Sequence, residues 1–326
     1  MTKPLPIAGR LTAAATVALA LLASTAATAQ QNYIQGAKPY LLVETGERFD
    51  RLQSAIFAIG KGKGTIRIDP GRWDDCGVQV EGDVTFEAVI PGKTRWAGPR
   101  VCEGKAALVL RGRSSRVTGF IFENFHSGDG NASGIRLEHG NLTAEQNWFR
   151  NSDEGILTSD QPGGTISIDR STFTHLGRCG GYASCAHSIY IGGYNQVTVT
   201  HSRFEAGDGG HYLKVRAAHV TITGNSFDDT AGRATNYLID LPEGATGRIA
   251  GNWFVQGSHK ENGGVLIAVA AEHRAQSSAG LIVEANTAKL SPGSPAGPAF
   301  VANWSRDQVV VGGNQLGPGI VKYVQK

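Results

Sequence analysis

One repeated pattern limits what this chain can fold into. Six segments each carry a short apolar/polar alternation that ends in a polar residue, a variable residue and Phe: Val117–Phe125, Leu142–Phe149, Ile166–Phe173, Val197–Phe204, Val220–Phe227 and Ile249–Phe254. Their closing phenylalanines stand at 125, 149, 173, 204, 227 and 254, so the steps are 24, 24, 31, 23 and 27 residues. The pattern fades but persists at Leu281–Asn286 and Val309–Asn314. Alternation with period two is the mark of a strand, and a step near 24 is too short for a propeller blade of about 40 residues. A coil of short parallel strands, each turn burying its inward side chains against the next, fits both facts. The chain therefore reads as an all-β parallel β-helix. Its 44 glycines among 326 residues, about twice the usual ~7% share, suit the many bends such a coil needs.

Two residues before each closing Phe stands Glu123, Asn147, Ser171, Ser202, Asn225 or Asn252, and by extension Asn286 and Asn314. We read this column as a structural ladder at one bend. A second strand follows each repeat: Gly134–Glu138, Gly155–Ser159, Ser188–Gly192, Tyr212–Arg216 and Leu238–Pro242. If Ile135, Ile156, Ile189, Leu213 and Ile239 point inward, then Arg136, Leu157, Tyr190, Lys214 and Asp240 form one outward column. Glu138, Ser159, Gly192, Arg216 and Pro242 form a second. Rung neighbours about 4.8 Å apart would then set Tyr190, Lys214 and Asp240 side by side. Near the start, Phe49, Leu52, Ile56 and Ile59 recur at helical spacing, which predicts an amphipathic helix over 47–59 capping the open end, with coils over about 64–316.

The first residues carry Lys3 and Arg10, an apolar run from Leu11 to Ala23, and Ala27-Thr28-Ala29. That is the layout of a secretory signal peptide over 1–29, and its apolar run falls short of the ~20 residues a spanning helix needs. A single domain over 30–326 is expected, periplasmic or secreted, monomeric, with no membrane insertion after signal cleavage. A net charge of +3 with 18% charged residues argues against a nucleic-acid partner. Export permits disulfides, and the separated clusters of cysteines favour Cys76 with Cys102 and Cys179 with Cys185, free thiols being the alternative.

The predicted helix followed by Gly64-Thr-Ile-Arg-Ile-Asp-Pro-Gly-Arg-Trp73, together with the Asn-x-Phe rungs, resembles the pectin-lyase-like superfamily of right-handed parallel β-helices. The resemblance covers nearly the whole mature chain. It implies the fold and leaves open polysaccharide lyases, glycoside hydrolases, uronan epimerases, esterases and noncatalytic adhesins.

Chemistry-bearing residues concentrate between 187 and 240. Asp208-Gly-Gly-His-Tyr-Leu-Lys-Val-Arg-Ala217 sets His211, Lys214 and Arg216 on one strand. His187 and His211 precede equivalent strands and bracket the same bend. A lyase acting on an acidic, uronate-containing polysaccharide needs a base for the C5 proton, a cation for the carboxylate and an acid for the leaving oxygen. Lys214 is cast as base, Tyr190 or His211 as acid, and Arg216 as the bidentate carboxylate contact, with Arg136 and His187 as further substrate-binding residues. Asp240 would orient Lys214 or bind a divalent cation such as calcium, although one carboxylate is a poor site for an ion that wants six or more oxygens. No other cofactor is expected. The structural alternative is a Lys214–Asp240 ion-pair ladder with a bend histidine at 211.

Polygalacturonases of this fold are recognised by N-x-D, D-D, G-H-G and R-I-K, and only Gly210-His211-Tyr212 and Lys214-Val215-Arg216 approach the last two. The D-P-H-D signature of alginate epimerases is absent. A noncatalytic exopolysaccharide-binding or assembly protein is the reading from another class, resting on Trp148, Tyr194, Tyr237, Trp253 and Trp304 as sugar-stacking aromatics.

Overall fold

The computed structural model describes residues 1–2, 38–179 and 185–326. Apart from Met1 and Thr2, the expected leader over 1–29 lies outside the described residues. From Lys63 onward the chain winds through a regular cycle. Lys63–Ile68 enters a first sheet, Gly71–Trp73 a second and Gly77–Gln79 a third, and the strand Asp83–Ala88 then pairs in parallel on Lys63–Ile68 to begin the next coil. Among the described residues the three sheets hold 12, 10 and 10 strands. The third sheet continues past the expected end at 316 into Val321–Gln325, parallel to Ala299–Asn303.

Inward side chains repeat from rung to rung, so like stacks on like. Phe122, Phe149, Phe173, Phe204, Phe227 and Phe254 form one pile with ring centroids 4.7–5.1 Å apart and planes within 8° of parallel. That separation is the strand spacing itself. Beside this pile runs the polar ladder. Asn252 Oδ1 accepts the N–H of Asn225, Asn286 Oδ1 that of Asn252 and Asn314 Oδ1 that of Asn286, at 2.9–3.0 Å. The Nδ2 groups of Asn225, Asn252 and Asn286 donate back to the carbonyls of Val199, Ile222 and Ile249. Ser171 and Ser202 each accept the N–H of the preceding ladder residue.

Glu123 is not part of this ladder. Phe122, not Phe125, pairs with Phe149, and the N–H of Phe120 takes the place on Asn147 Oδ1. The first repeat is therefore shifted by three residues from its sequence reading. Glu123 instead faces the guanidinium of Arg150, whose Nε donates to it at 2.7 Å.

The capping helix is shorter than expected. It runs Leu52–Ile59, while Arg48–Phe49 forms a short strand antiparallel to Tyr40–Leu42, which in turn pairs antiparallel with Lys63–Ile68. Residues 47–51 are drawn out of the helix because the edge of Tyr40–Leu42 needs a backbone partner. Leu52, Ala55 and Ile56 are buried over the coil end. The Gln53 side chain stands in for a missing strand: its Nε2 donates to Val78 O at 3.0 Å and its Oε1 accepts the Val78 N–H at 2.8 Å.

Candidate active site

The third sheet carries the site. Its parallel register sets Leu157 beside Tyr190, Tyr190 beside Lys214, Lys214 beside Asp240, and Asp240 beside Ala268. Arg136 heads the same outward column next to Leu157. Two residues on, Arg216 leaves the strand Leu213–Val215 and turns back over Tyr190, donating from Nε to the phenol oxygen at 2.8 Å. Its Nη1 donates to Glu243 at 2.9 Å, and its Nη2 to Glu272. The other oxygen of Glu272 accepts from Lys214 Nζ at 2.5 Å, while Asp240 Oδ2 lies 3.7 Å from that ammonium.

At the bend that opens these strands, a second ladder runs through the chemistry-bearing side chains. Glu154 Oε1 accepts the N–H of His187 at 3.3 Å, His187 Nδ1 accepts the N–H of His211 at 3.0 Å, and His211 Nδ1 accepts that of Tyr237 at 3.2 Å. Gly210 makes the close approach possible. It sits at φ +61°, and a Cβ there would fall 2.0 Å from the carbonyl oxygen of Ala186 and 2.6 Å from His187 Nδ1.

A nitrogen that accepts a backbone N–H carries no proton, so both neutral rings bear theirs on Nε2. His211 Nε2 lies 3.4 Å from Asp240 Oδ2. Burial, followed by the positive charge of Lys214, drives His187 down to about 3. His211 falls well below its ordinary value, chiefly by burial and then through His187 and Lys214. Asp240 goes the other way, with burial pushing its carboxyl up to about 7 against the partial pull of Lys214. Burial also raises the Glu154 carboxyl well above the ordinary range. For Glu272, hydrogen bonds from Lys214 and Arg216 outweigh the opposing effect of burial and hold the carboxyl below its usual value.

Arg136, Glu154, His187, Tyr190, Lys214, Arg216 and Glu272 line one cleft of about 470 Å³, within the range of small-ligand sites. The residues expected from sequence thus fall on one face, with His211 and Asp240 buried just behind it. Glu154, Glu243 and Glu272 join the site beyond the residues singled out from the sequence. Glu154 did leave a signal, since it precedes Ile156 by two residues as His187 precedes Ile189. Cys185, joined to Cys179, also lines the cleft, and Gly210 N–H reaches Cys179 Sγ at 3.3 Å. Cys76–Cys102 closes the other expected disulfide, near the N-terminal coils.

Oxygen donors for calcium are scarce. Glu272 and Glu243 are taken up by Lys214 and Arg216, so among the described residues neither is left free to join a calcium cage. Among the described residues, Cys179, Cys185 and Glu261 are the one trio within ligating reach of a shared ion, and both sulfurs are spent in the disulfide. The expected aromatic platform is dispersed. Tyr194 is buried in the core, and Trp148 and Trp253 are half-exposed on the second sheet, each beside a cation, Arg150 and Lys289 respectively.

The family described as right handed beta helix region matches residues 133–316 of the 326. The chain belongs to this family. No curated protein matches it. Among solved structures it is similar to an alginate lyase from Paenibacillus sp. str. FPU-7, with 17% identity and a TM-score of 0.62 over 83% of this chain and 94% of that one. A second match, Geobacillus virus E2 ORF18, has 9% identity and a TM-score of 0.47 over 84% of this chain and 56% of that one. At 17% identity the alginate lyase match shows the shared β-helix fold alone. Among the described residues no helix is long and apolar enough to cross a membrane.

Proposed function

We propose that this protein is an exported polysaccharide lyase that cleaves a uronate-containing polysaccharide by β-elimination in the cleft around Tyr190, Lys214 and Arg216. The observation that carries the reading is the convergence of a phenol, an ammonium and a guanidinium from adjacent rungs at the wall of one open cleft. Arg216 receives the substrate carboxylate and neutralises it, which acidifies the proton on C5. Lys214 takes that proton as an amine. It reaches the amine form by passing its own proton to Asp240, a carboxyl already pushed up to about 7. The bond from C4 to the glycosidic oxygen then breaks, leaving a C4–C5 double bond, and the departing oxygen takes a proton from Tyr190. The Tyr190 oxygen accepts from Arg216, so its own O–H is free to donate. His187, locked as an Nε2–H donor, and Arg136 contact the sugar from the neighbouring rungs.

One observation favours hydrolysis as a second reading. Glu154, held protonated by burial, and Glu272, held ionised by two cations, line the same cleft, and an acid–carboxylate pair is the equipment of a glycosidase. The test is to incubate the mature chain with a panel of acidic polysaccharides, following ultraviolet absorbance and reducing ends in parallel. Absorbance that rises with reducing ends marks the unsaturated uronate of elimination. Reducing ends without absorbance would give the reaction to the carboxyl pair.

A further inference from the structure

Glu272 is the member of this cluster that does not come from a rung beside the cations. It lies in the irregular segment after the strand Val265–Val269, its N–H bonded to Pro242 O, and its side chain reaches back to Lys214 and Arg216. Each cation keeps another partner without it: Asp240 for Lys214, and Glu243 with the Tyr190 oxygen for Arg216. Those carboxylates are less exposed, with Asp240 at 2% and Glu243 at 20% side-chain exposure, whereas Glu272 is 38% exposed at the cleft wall.

Charge points the same way. Lys214 and Arg216 bring two positive charges. Glu243 cancels one and the buried Asp240 only part of the other, so the rung-borne groups alone form a site with positive charge to spare. Glu272 removes that excess. It does so with one carboxylate oxygen on each cation, the bridging contact an incoming carboxylate would make.

We infer that Glu272 is a built-in occupant of the carboxylate subsite between Lys214 and Arg216, and that an acidic sugar binds by displacing it. The inference rests on the reading that Arg216 receives the substrate's carboxylate, with Lys214 still an ammonium beside it until it passes its proton to Asp240. Its consequence is a threshold on affinity. When the competent form is a minor fraction of the protein, apparent affinity falls by that fraction. Neutral sugars, which bring no carboxylate to these groups, draw nothing from this subsite with or without Glu272.

The experiment is calorimetric titration of the mature chain with D-glucuronate, and with its methyl ester as the uncharged control, on wild type, Glu272→Gln and Glu272→Ala. Removing an occupant that holds the site for nine-tenths or more of the time should tighten glucuronate binding by roughly 10-fold or more, while ester binding stays unchanged. In Glu272→Gln combined with Arg216→Ala the gain should vanish. Equal or weaker glucuronate binding in both single variants would overturn the inference, as would a gain that survives loss of Arg216 or extends to the ester. The outcome is separable from that of the lyase reading. A gain in affinity with no unsaturated product from any polysaccharide leaves the subsite standing and sinks the reaction. Elimination by wild type with no gain does the reverse.

Discussion

His187 and His211 are neutral because the ladder that seats them takes Nδ1 for a backbone N–H, and burial removes the water an imidazolium would need. The unfolded chain binds a proton on each near the ordinary histidine value, so stability drains away as pH falls from about 6.5 towards 3, the window set by His187. Asp240 acts with the opposite sign. Its folded carboxyl stays protonated up to about 7 while the unfolded one ionises near 4, so its contribution is lost as pH rises between those values. Melting temperature followed against pH separates the two. His187→Asn should flatten the acid-side loss and Asp240→Asn the loss towards neutrality, and unchanged slopes would contradict these assignments. Under the proposed mechanism the same carboxyl also sets the rate. Lys214 needs ionised Asp240 to accept its proton, so kcat/KM should climb as pH rises through about 7, and Asp240→Asn should abolish that limb along with most of the activity. Tyr190, Lys214 and Asp240 were legible as neighbours because strand side chains alternate with period two, so one correct inward residue places all the outward ones. Glu272 was not, since its position depends on the path of an irregular segment that carries no period.

Strands and ladders hold these side chains in register. Asn252 accepts one backbone N–H and donates to one carbonyl in the dry bend, so Asn252→Ala leaves both unpaired and should cost about 1–3 kcal/mol. Phe204→Ala opens a gap in the continuous pile between Phe173 and Phe227 and should cost about 3–5 kcal/mol. Urea unfolding measures both, and losses under half a kcal/mol would mean the stacks are incidental. The repeat was readable because each rung reuses the same inward residue types. It slipped at the first repeat, where Phe120, Phe122 and Phe125 all offered an aromatic and only backbone pairing selects Phe122. The helix start was misplaced for a related reason: Phe49 keeps helical spacing with Leu52 and Ile56, yet an unpaired strand edge claims it.

Across the β-helix, one face gathers cations, a phenol and carboxyls, while the remaining outward surface carries exposed ion pairs such as Arg67–Glu87 and Arg248–Glu284. Pairs of that kind contribute little to stability. The cluster at the cleft differs in being partly buried, in converging from several rungs, and in leaving Asp240 Oδ1, Glu154 Oε2 and Arg136 Nε without hydrogen-bond partners among the described residues. Buried polar atoms without partners are costly, which is expected where a ligand completes the set. The proposed function rests on this convergence of charged and polar groups at one cleft, not on the solenoid, which many activities share. The most direct measurement is the initial rate of unsaturated-uronate formation by Arg216→Ala on the polysaccharide that wild type cleaves, with circular dichroism showing that the variant is folded. A loss of about 10²–10³-fold is expected, the scale of removing one preorganised contact to developing negative charge. A folded variant that eliminates at the wild-type rate would place the chemistry elsewhere on the β-helix.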